Sequence, residues 1–516
     1  MLNRSHSLWH ATTESLPRPT LESEREFDVA IIGAGIVGIT TAYALRNSGK
    51  SVALIEARNI LGDVTGNTTG KLTSQHGIVY RHLIDTFGED KARQYADAGE
   101  WALREVGRIA QIEGIECDYI QDTANVFAPT GEVREKIKDE VEAAVSLGLP
   151  ASFIEDPQLP FATYGAIRFE NQARFHPLKF LHGILKTAEA AGVQVFENTR
   201  VLEIAEGQRC EIQLEDGVVY ANEVVIATNY PIHDSGLFVT RLAPYKSYAM
   251  AVDIDGELPE GMYISEEEPV RSFRRQPYQG RDILIVGGEN HKVGQEDDAL
   301  EHFSRLEAWA RSAFNVKDVL FKWSTQDNWT PDRLPYIGRS PNRDRIYLAT
   351  GFGGWGMTNG VCAARIISDL MSDVETPWAE PFNPNRMAWA AVPTIAKETV
   401  NAAKHLIGDR LSSVEADDLT EIAPGSAAIV QMDDERVGAF RDPDGRLHVV
   451  TSACTHWGCQ LHWNNAETTW DCPCHGSRFD IDGSVLHGPA VKPLEQRAIG
   501  EVPRSVEGDF GVEPAT

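Results

Sequence analysis

The sequence predicts three units: an α/β domain on a parallel sheet, an α+β domain inserted into it, and a small all-β domain towards the C-terminal end. Three observations lead there. A strand–turn–helix–strand segment spaced G-x-G-x-x-G stands at residues 27–57, and two strand-plus-turn segments recur near 217–231 and 344–373. Beyond residue 421 the pattern changes to short strands around a cluster of cysteines and histidines. A chain of 516 residues has room for two or three domains, and a 42% hydrophobic fraction supplies their cores.

FDVAIIGAGIVGITTAYALRNSGKSVALIEA carries the first unit. Val29 to Ile32 is a short apolar run of the kind buried in a parallel sheet. Gly33, Gly35 and Gly38 follow, Ile39 to Asn47 keep helical spacing, Gly49 stops the helix, and Val52 to Ile55 form the next strand. Glu56 ends that strand 23 residues after Gly33. Each part has a task in a dinucleotide site. Gly33 makes the turn, Gly35 lets a pyrophosphate approach the backbone, and Gly38 lets helix and sheet pack closely. The helix N-terminus, with Ile36 in the turn that leads to it, offers N–H groups to phosphate. Glu56, with Ala57 beside it, accepts from ribose hydroxyls. The unit is therefore expected to be Rossmann-like.

GVVYANEVVIATNYP places a strand, Glu223 to Ala227, before a turn that presents Thr228; Val201 lies on the preceding segment. DRIYLATGFGGWGMTNGVCAARIISDLMSD places a strand before a glycine-rich turn, then a helix with an apolar stripe of Val361, Ala364, Ile367 and Leu370. Between these pieces, residues 80–165 read as mainly helical, and 240–325 mix strands (YAMAVDI, DILIVGG) with a helix (DALEHFSRLEAWARSAF). The nucleotide-binding domain is expected at 26–79, 166–239 and 326–376, and the inserted substrate domain at 80–165 and 240–325. A linker over 377–420 contains the helix-like KETVNAAKHLIGDRL. The all-β domain is expected over 421–512, with AAIVQM, RVGAFR, LHVVTS and TTWDC as strands.

A formal net charge of −28 argues against a nucleic-acid partner, which needs clustered Lys and Arg. Seven cysteines in this length are not a disulfide scaffold, and four of them fall between Cys454 and Cys474. Residues 1–26 carry no apolar signal region and no run reaches membrane-spanning length. A cytoplasmic location with no transmembrane segment is expected.

The C-terminal cluster reads CTHWGC and CPCHGS. Cys454, His456, Cys472 and His475 offer two thiolates and two imidazoles, a set that zinc also accepts. A zinc site leaves Cys459 and Cys474 without a role. C-T-H-x-G-C with C-P-C-H-G-S resembles the signature of Rieske [2Fe–2S] domains. The resemblance implies that Cys454 and Cys472 hold one iron, that His456 and His475 hold the other, and that Cys459 and Cys474 form a disulfide bracing the two loops. Imidazole ligands raise the potential above that of an all-cysteine cluster. The resemblance also implies a hydrogen bond from Ser477 to a cluster sulfur, and a proline-containing covering loop at HGPAVKPL. Phe479 stands where the highest-potential members carry tyrosine, so a middle or moderately high potential is expected. No mononuclear iron site is expected, because His291 and His302 lack a third ligand in the sequence.

Residues 26–375 resemble the FAD-dependent D-amino-acid oxidase/glycine oxidase superfamily, on the fingerprint with Glu56 and on WTPDRLPYIG followed by GFGGWGMTNG. The whole arrangement is similar to a subgroup labelled gamma-glutamylputrescine oxidoreductase-like. The resemblance implies FAD, with Gly351, Gly353, Gly354, Gly356, Met357 and Thr358 along the flavin and Asp332, Pro335 and Gly338 in the preceding loop. It further implies flavin contacts from NTTGKLTSQHG: Thr68, Thr69, Lys71, Thr73, Gln75 and His76. Cys362 lies on the late helix, so a non-covalent flavin is expected.

The expected reaction is hydride transfer from an amine or amino acid to flavin, with electrons leaving singly through the cluster to an external acceptor. Arg271, Arg274 and Arg275 are candidates to clamp a carboxylate. Tyr245, Tyr248 and His291 are candidates to line the pocket, and Trp355 to wall the ring. Two alternatives stand beside this: an oxidase using O2 with an idle cluster, and an NAD(P)H-linked Rieske reductase. The second needs another dinucleotide fingerprint, which ILIVGGEN does not supply.

Overall fold

The computed structural model describes residues 7–386, 401 and 415–498, apart from 23, 234, 235, 297 and 417. The linker helix expected at 397–411, residue 401 apart, and the end of the third domain, 499–512, lie outside the described residues.

The first sheet is built on parallel pairs. Strand Glu26–Ile32 lies between Val52–Ile55 and Gly217–Ile226, in register from Val29 opposite Val52 to Ile32 opposite Ile55. Gln194–Phe196 extends one side; Ile346–Thr350 and then Tyr336–Arg339 extend the other. The apolar runs are buried on both faces, as the sequence predicted. Helices Ile36–Leu45 and Gly356–Leu370 pack against each other over this sheet. A Cβ on Gly38 would stand 1.9 Å from the Gly33 carbonyl oxygen, so only glycine permits this crossing.

The second sheet follows the order Val316–Trp329, Ala243–Ile254, Arg281–Lys292, Arg271–Tyr278, Met262–Ser265, Ile120–Phe127, Ala166–Arg174 and Lys71–Leu72, with Ala151–Ile154 paired to Ala166–Arg174. Helices Tyr80–Phe87, Glu89–Ile112 and Gly131–Ser146 make the 80–165 segment mainly helical. Two boundaries move. Ala166–Arg174 and Lys71–Leu72, read from sequence as parts of the nucleotide-binding domain, pair in this second sheet. Val316–Trp329 carries it past residue 325. A strand's neighbour is a tertiary choice that the strand's own composition does not encode.

The third unit has a three-stranded sheet, Ala427–Met432, Glu435–Arg441 and Leu447–Thr451, and a four-stranded one, His462–Asn464, Thr469–Asp471, Arg478–Phe479 and Val485–His487. Its core gathers Ile429, Val450, Leu461, Trp470 and Phe479 around the four cysteines.

Candidate functional site

A cavity runs from the first glycine turn, past the strand ends, to the second sheet and under the third unit. Gly33, Gly35 and Ile36 line it at the turn, Glu56 and Ala57 at the end of the next strand, and Val201 and Thr228 beyond. Thr68 and Thr69 enter from the loop after Val52–Ile55; Gly354, Gly356 and Met357 enter at the start of the late helix. Glu56 accepts the Ala34 N–H at 2.9 Å and the Arg58 N–H at 3.0 Å, and burial raises its carboxyl above the ordinary value. Both carboxylate oxygens are thus fixed by backbone. The side chain lines the same cavity as the helix start at Ile36.

At the far end of the chain, Cys459 and Cys474 form a disulfide, leaving Cys454 and Cys472 as thiols. The hydrogen bond with Cys472, together with the His456 and Trp457 N–H groups and the Ser477 hydroxyl, pulls Cys454 down to about 7 against burial. The same thiol pairing, then burial, pushes Cys472 well up. The His456 and His475 rings stand 5.1 Å apart, nearly perpendicular. Burial, then the His456 charge, lowers His475 to about 3, so its imidazole is neutral, and its Nδ1 is buried without a hydrogen-bond partner among the described residues. Two adjacent thiols and two imidazoles are the donor set of a mixed-ligand iron–sulfur site.

The family described as FAD dependent oxidoreductase matches residues 28–370, and that described as Rieske [2Fe-2S] domain matches 412–498. The chain belongs to the FAD-dependent oxidoreductase family and ends in a Rieske domain. A Bacillus subtilis (strain 168) protein named for a Rieske 2Fe-2S iron-sulfur centre, YhfW, is 37% identical over 492 residues, 95% of this chain and 96% of that one. Glycine oxidase of the same strain is 24% identical over 382 residues, 70% of this chain and 98% of that one. The solved glycine oxidase from Geobacillus kaustophilus has a TM-score of 0.60 at 18% identity, covering 70% of this chain and 99% of its own. L-proline dehydrogenase from P.horikoshii gives 0.56 at 19%, covering 72% and 98%. The oxidoreductase's cofactors are FAD and a [2Fe–2S] cluster. The cavity fits the first, because the fingerprint turn and the late-helix start share it. The cysteine–histidine loops fit the second.

Other expected FAD contacts lie outside this cavity. Gly38 serves the helix–sheet crossing. Lys71 donates to the Tyr263 carbonyl and the Ser272 hydroxyl, and burial, then the Arg274 charge, lowers it to about 7. Thr73 and Thr358 bind each other, the Thr358 hydroxyl donating to the Thr73 carbonyl at 2.7 Å. Gln75 donates to the Ile167 carbonyl at 3.3 Å. His76 bonds Tyr95 and the Thr73 carbonyl, and Trp355 stacks on its ring at 4.9 Å instead of walling the cavity. Asp332 is committed to Arg386 at 2.8 Å. Gly351 and Gly353 let the late turn lie on Thr330 and Trp329. These residues hold the loops that line the cavity.

The oxidoreductase's candidate substrate residues also divide. Tyr245 lines the cavity. Arg274 is fully buried and donates to the Thr69 carbonyl at 2.6 Å, the Phe175 carbonyl at 3.1 Å and Gln276 at 2.8 Å. Burial, then Arg174, lowers it to about 9. It ties the Thr69 loop to the sheet and has no face left for a carboxylate. Arg271 pairs with Glu289 at 2.5 Å, and Arg275 donates to the Leu258 and Pro259 carbonyls. Tyr248 donates to or accepts from His291 at 2.9 Å. His291 and His302 stack at 4.2 Å and 8°. Glu296 brings a carboxylate to them, the third group the sequence did not show. Imidazole nitrogens bind metal in the ring plane, and two stacked, parallel planes do not converge on one ion.

Sequence reasoning missed Lys246, Asn290, Asp327 and Trp329, which line the cavity from the second sheet. Asp327 accepts the Gly354 N–H at 2.7 Å and the Asn328 N–H at 2.8 Å; burial pushes it up to about 6 against those bonds. Lys246 faces the Rieske domain, pairing with Glu467 and, at 3.3 Å, with Asp471; Arg478 reaches Asp471 at 3.2 Å. A lysine inside the apolar strand APYKSYAMAVDI is a buried charge that demands a partner, and that is the signal it carried.

The same face seats the cluster-binding loop. Gln326 donates to the Gly476 carbonyl at 2.8 Å, between His475 and Ser477, and Gln295 to the Pro473 carbonyl at 3.1 Å. Arg200 donates to the Val485 carbonyl at 2.9 Å.

Proposed function

We propose that this protein is a dehydrogenase that oxidises a small amine or amino acid at FAD and passes the electrons singly, through its own Rieske cluster, to an external acceptor. FAD when bound supplies a two-electron acceptor that releases electrons one at a time, and the cluster is a one-electron carrier. The observation that carries the reading is the seating of the 472–477 loop on Pro244, Gln326 and Gly294, beside the cavity wall formed by Tyr245, Lys246 and Asp327. Relatives named for glycine oxidation and a structural neighbour named for proline dehydrogenation share the fold of the first two domains, which supports an amino-compound substrate.

The chain's own residues bind and orient. Asp327 places a carboxylate on the cavity wall beside the late glycine turn, where it receives the ammonium of an incoming amine. Tyr245 and Trp329, whose rings meet edge to face at 6.2 Å, exclude water from that end. Neutral contacts come from Ser247 and Asn290. Hydride leaves only from the neutral amine, so the ammonium first gives a proton to the Asp327 carboxylate; beyond that, orientation is the main demand.

The test is an anaerobic screen of amines and amino acids that follows flavin bleaching and the cluster's EPR signal together. A substrate should bleach the flavin and raise the reduced-cluster signal within the same turnover. Bleaching with a permanently oxidised cluster, and stoichiometric peroxide in air, would instead make the protein an oxidase with an idle cluster.

A further inference from the structure

We propose that the Rieske domain completes the FAD site, with His487 as a cofactor-binding residue for the FAD diphosphate. The cavity holding the fingerprint turn is also lined by Leu486, His487, Gly488, Ala490 and Val491 of the C-terminal domain. His487 is 4% exposed. Its Nδ1 meets Asp63 Oδ2 at 2.7 Å, while its Nε2 is buried and has no hydrogen-bond partner among the described residues. A buried ring nitrogen left without a partner is unfavourable, and native structures usually satisfy one with protein, water or a ligand.

The chemistry of the missing partner follows from the surroundings. Burial works to raise the Asp63 carboxyl, and His487, Arg58 and Arg478 overcome it, holding Asp63 well below the ordinary carboxylate range. With its Nδ1 committed to the Asp63 carboxylate, the ring has Nε2 left to meet a ligand, and an N–H donated from there to an anionic oxygen is a charge-assisted hydrogen bond. Asp63 stands two residues before Thr65, whose Oγ1 accepts the Ile36 N–H at 3.1 Å at the start of the fingerprint helix. That helix start is where a diphosphate binds. Asp63 thus belongs to the flavoprotein and His487 to the Rieske domain, and the diphosphate is the third member of the set. The consequence is coupling: FAD strengthens the docking of the Rieske domain, and the docked domain strengthens FAD binding by the same factor.

The proposal needs only that FAD occupies the cavity, so a substrate screen that found nothing would leave it standing. The test uses the full chain with its cluster, stripped of FAD and titrated with FAD. His487→Ala should raise the Kd for FAD about 10- to 100-fold, the range of a charge-assisted hydrogen bond. His487→Gln keeps an N–H donor and should recover most of that loss, and iron content and the cluster's EPR line shape should stay unchanged in both. Melting the wild type and His487→Ala with and without FAD separates a contact from a clasp: the substitution should lower the melting point more in the loaded protein. An unchanged Kd would overturn the proposal, and so would equal destabilisation with and without FAD, which would leave His487 only a clasp to Asp63. If the variants shed the cluster, the wild type decides. FAD added to the stripped protein should slow amide exchange over 485–491 by about tenfold or more, and unchanged exchange overturns the inference.

Discussion

Replacing Gly294 by alanine attacks the docked pose from the flavoprotein side. Gly294 has φ +65°, and a Cβ there would stand 2.8 Å from the Pro473 nitrogen and 3.0 Å from the Cys472 carbonyl carbon. Both are backbone atoms of the cluster-binding loop, so neither can rotate away as a side-chain tip would. The left-handed φ costs alanine about 1–2 kcal/mol whether or not the domains are docked. The overlap costs about 1–3 kcal/mol more, and only in the docked pose. That second part lowers the docked fraction about 5- to 150-fold where docking is weak enough to respond. The assay needs no substrate: FAD is reduced by a light pulse with EDTA, and freeze-quench EPR follows the cluster. Cluster reduction should slow by that factor while flavin photoreduction is unchanged. Gly280→Ala is the control, since Gly280 has φ +79° and nothing within 4 Å of its Cβ. It should behave as wild type. Wild-type cluster reduction in Gly294→Ala, with iron content intact, would refute the docking argument.

Three further outcomes follow from the site. Ser477→Ala removes the hydroxyl beside Cys454, which stabilises the more negative reduced cluster, so the potential should fall by about 60 mV for each 1.4 kcal/mol lost; an EPR-monitored titration showing no fall, or a wild-type value as low as plant-type ferredoxins, would contradict the cluster assignment. Breaking the Cys459–Cys474 disulfide, which closes a loop of 15 residues, should cost about 3 kcal/mol and lower the temperature of cluster loss by about 10 °C or more; thermal bleaching at the wild-type temperature would show that the bridge constrains little. Asp327, raised to about 6 by burial, binds an ammonium only when ionised, so affinity for a cationic amine should be full above that pH and fall as pH drops through it. Asp327→Asn should weaken binding and abolish that acidic limb, and a variant that kept the limb would assign the titration to another group.

What the sequence disclosed depended on how local the physics was. The fingerprint was legible because each glycine answers a short-range steric demand, as Gly38 does against the Gly33 carbonyl. The cysteine–histidine motif was legible because Cys454, His456, Cys472 and His475 lie in two short loops. The pairing of Ala166–Arg174 with Ile120–Phe127, across the expected boundary at 165/166, was not legible because a strand's partner is chosen by tertiary packing. Arg274 looked like a carboxylate clamp because its acceptors, the Thr69 and Phe175 carbonyls, lie 205 and 99 residues away. The domain contact was invisible for the same reason: Asp63 and His487 are separated by 424 residues. Asp327 was passed over because a carboxylate beside asparagine near a strand end looks like an ordinary turn residue until burial is known.

The central claim is that electrons pass from FAD to the Rieske cluster inside one chain. The most direct measurement is the rate at which the cluster becomes reduced after a light pulse reduces the flavin, taken anaerobically over a hundredfold range of protein concentration. The account expects a first-order rate that does not change with concentration, with one electron reaching each cluster. A rate proportional to concentration, or a cluster that stays oxidised beside reduced flavin, would contradict it.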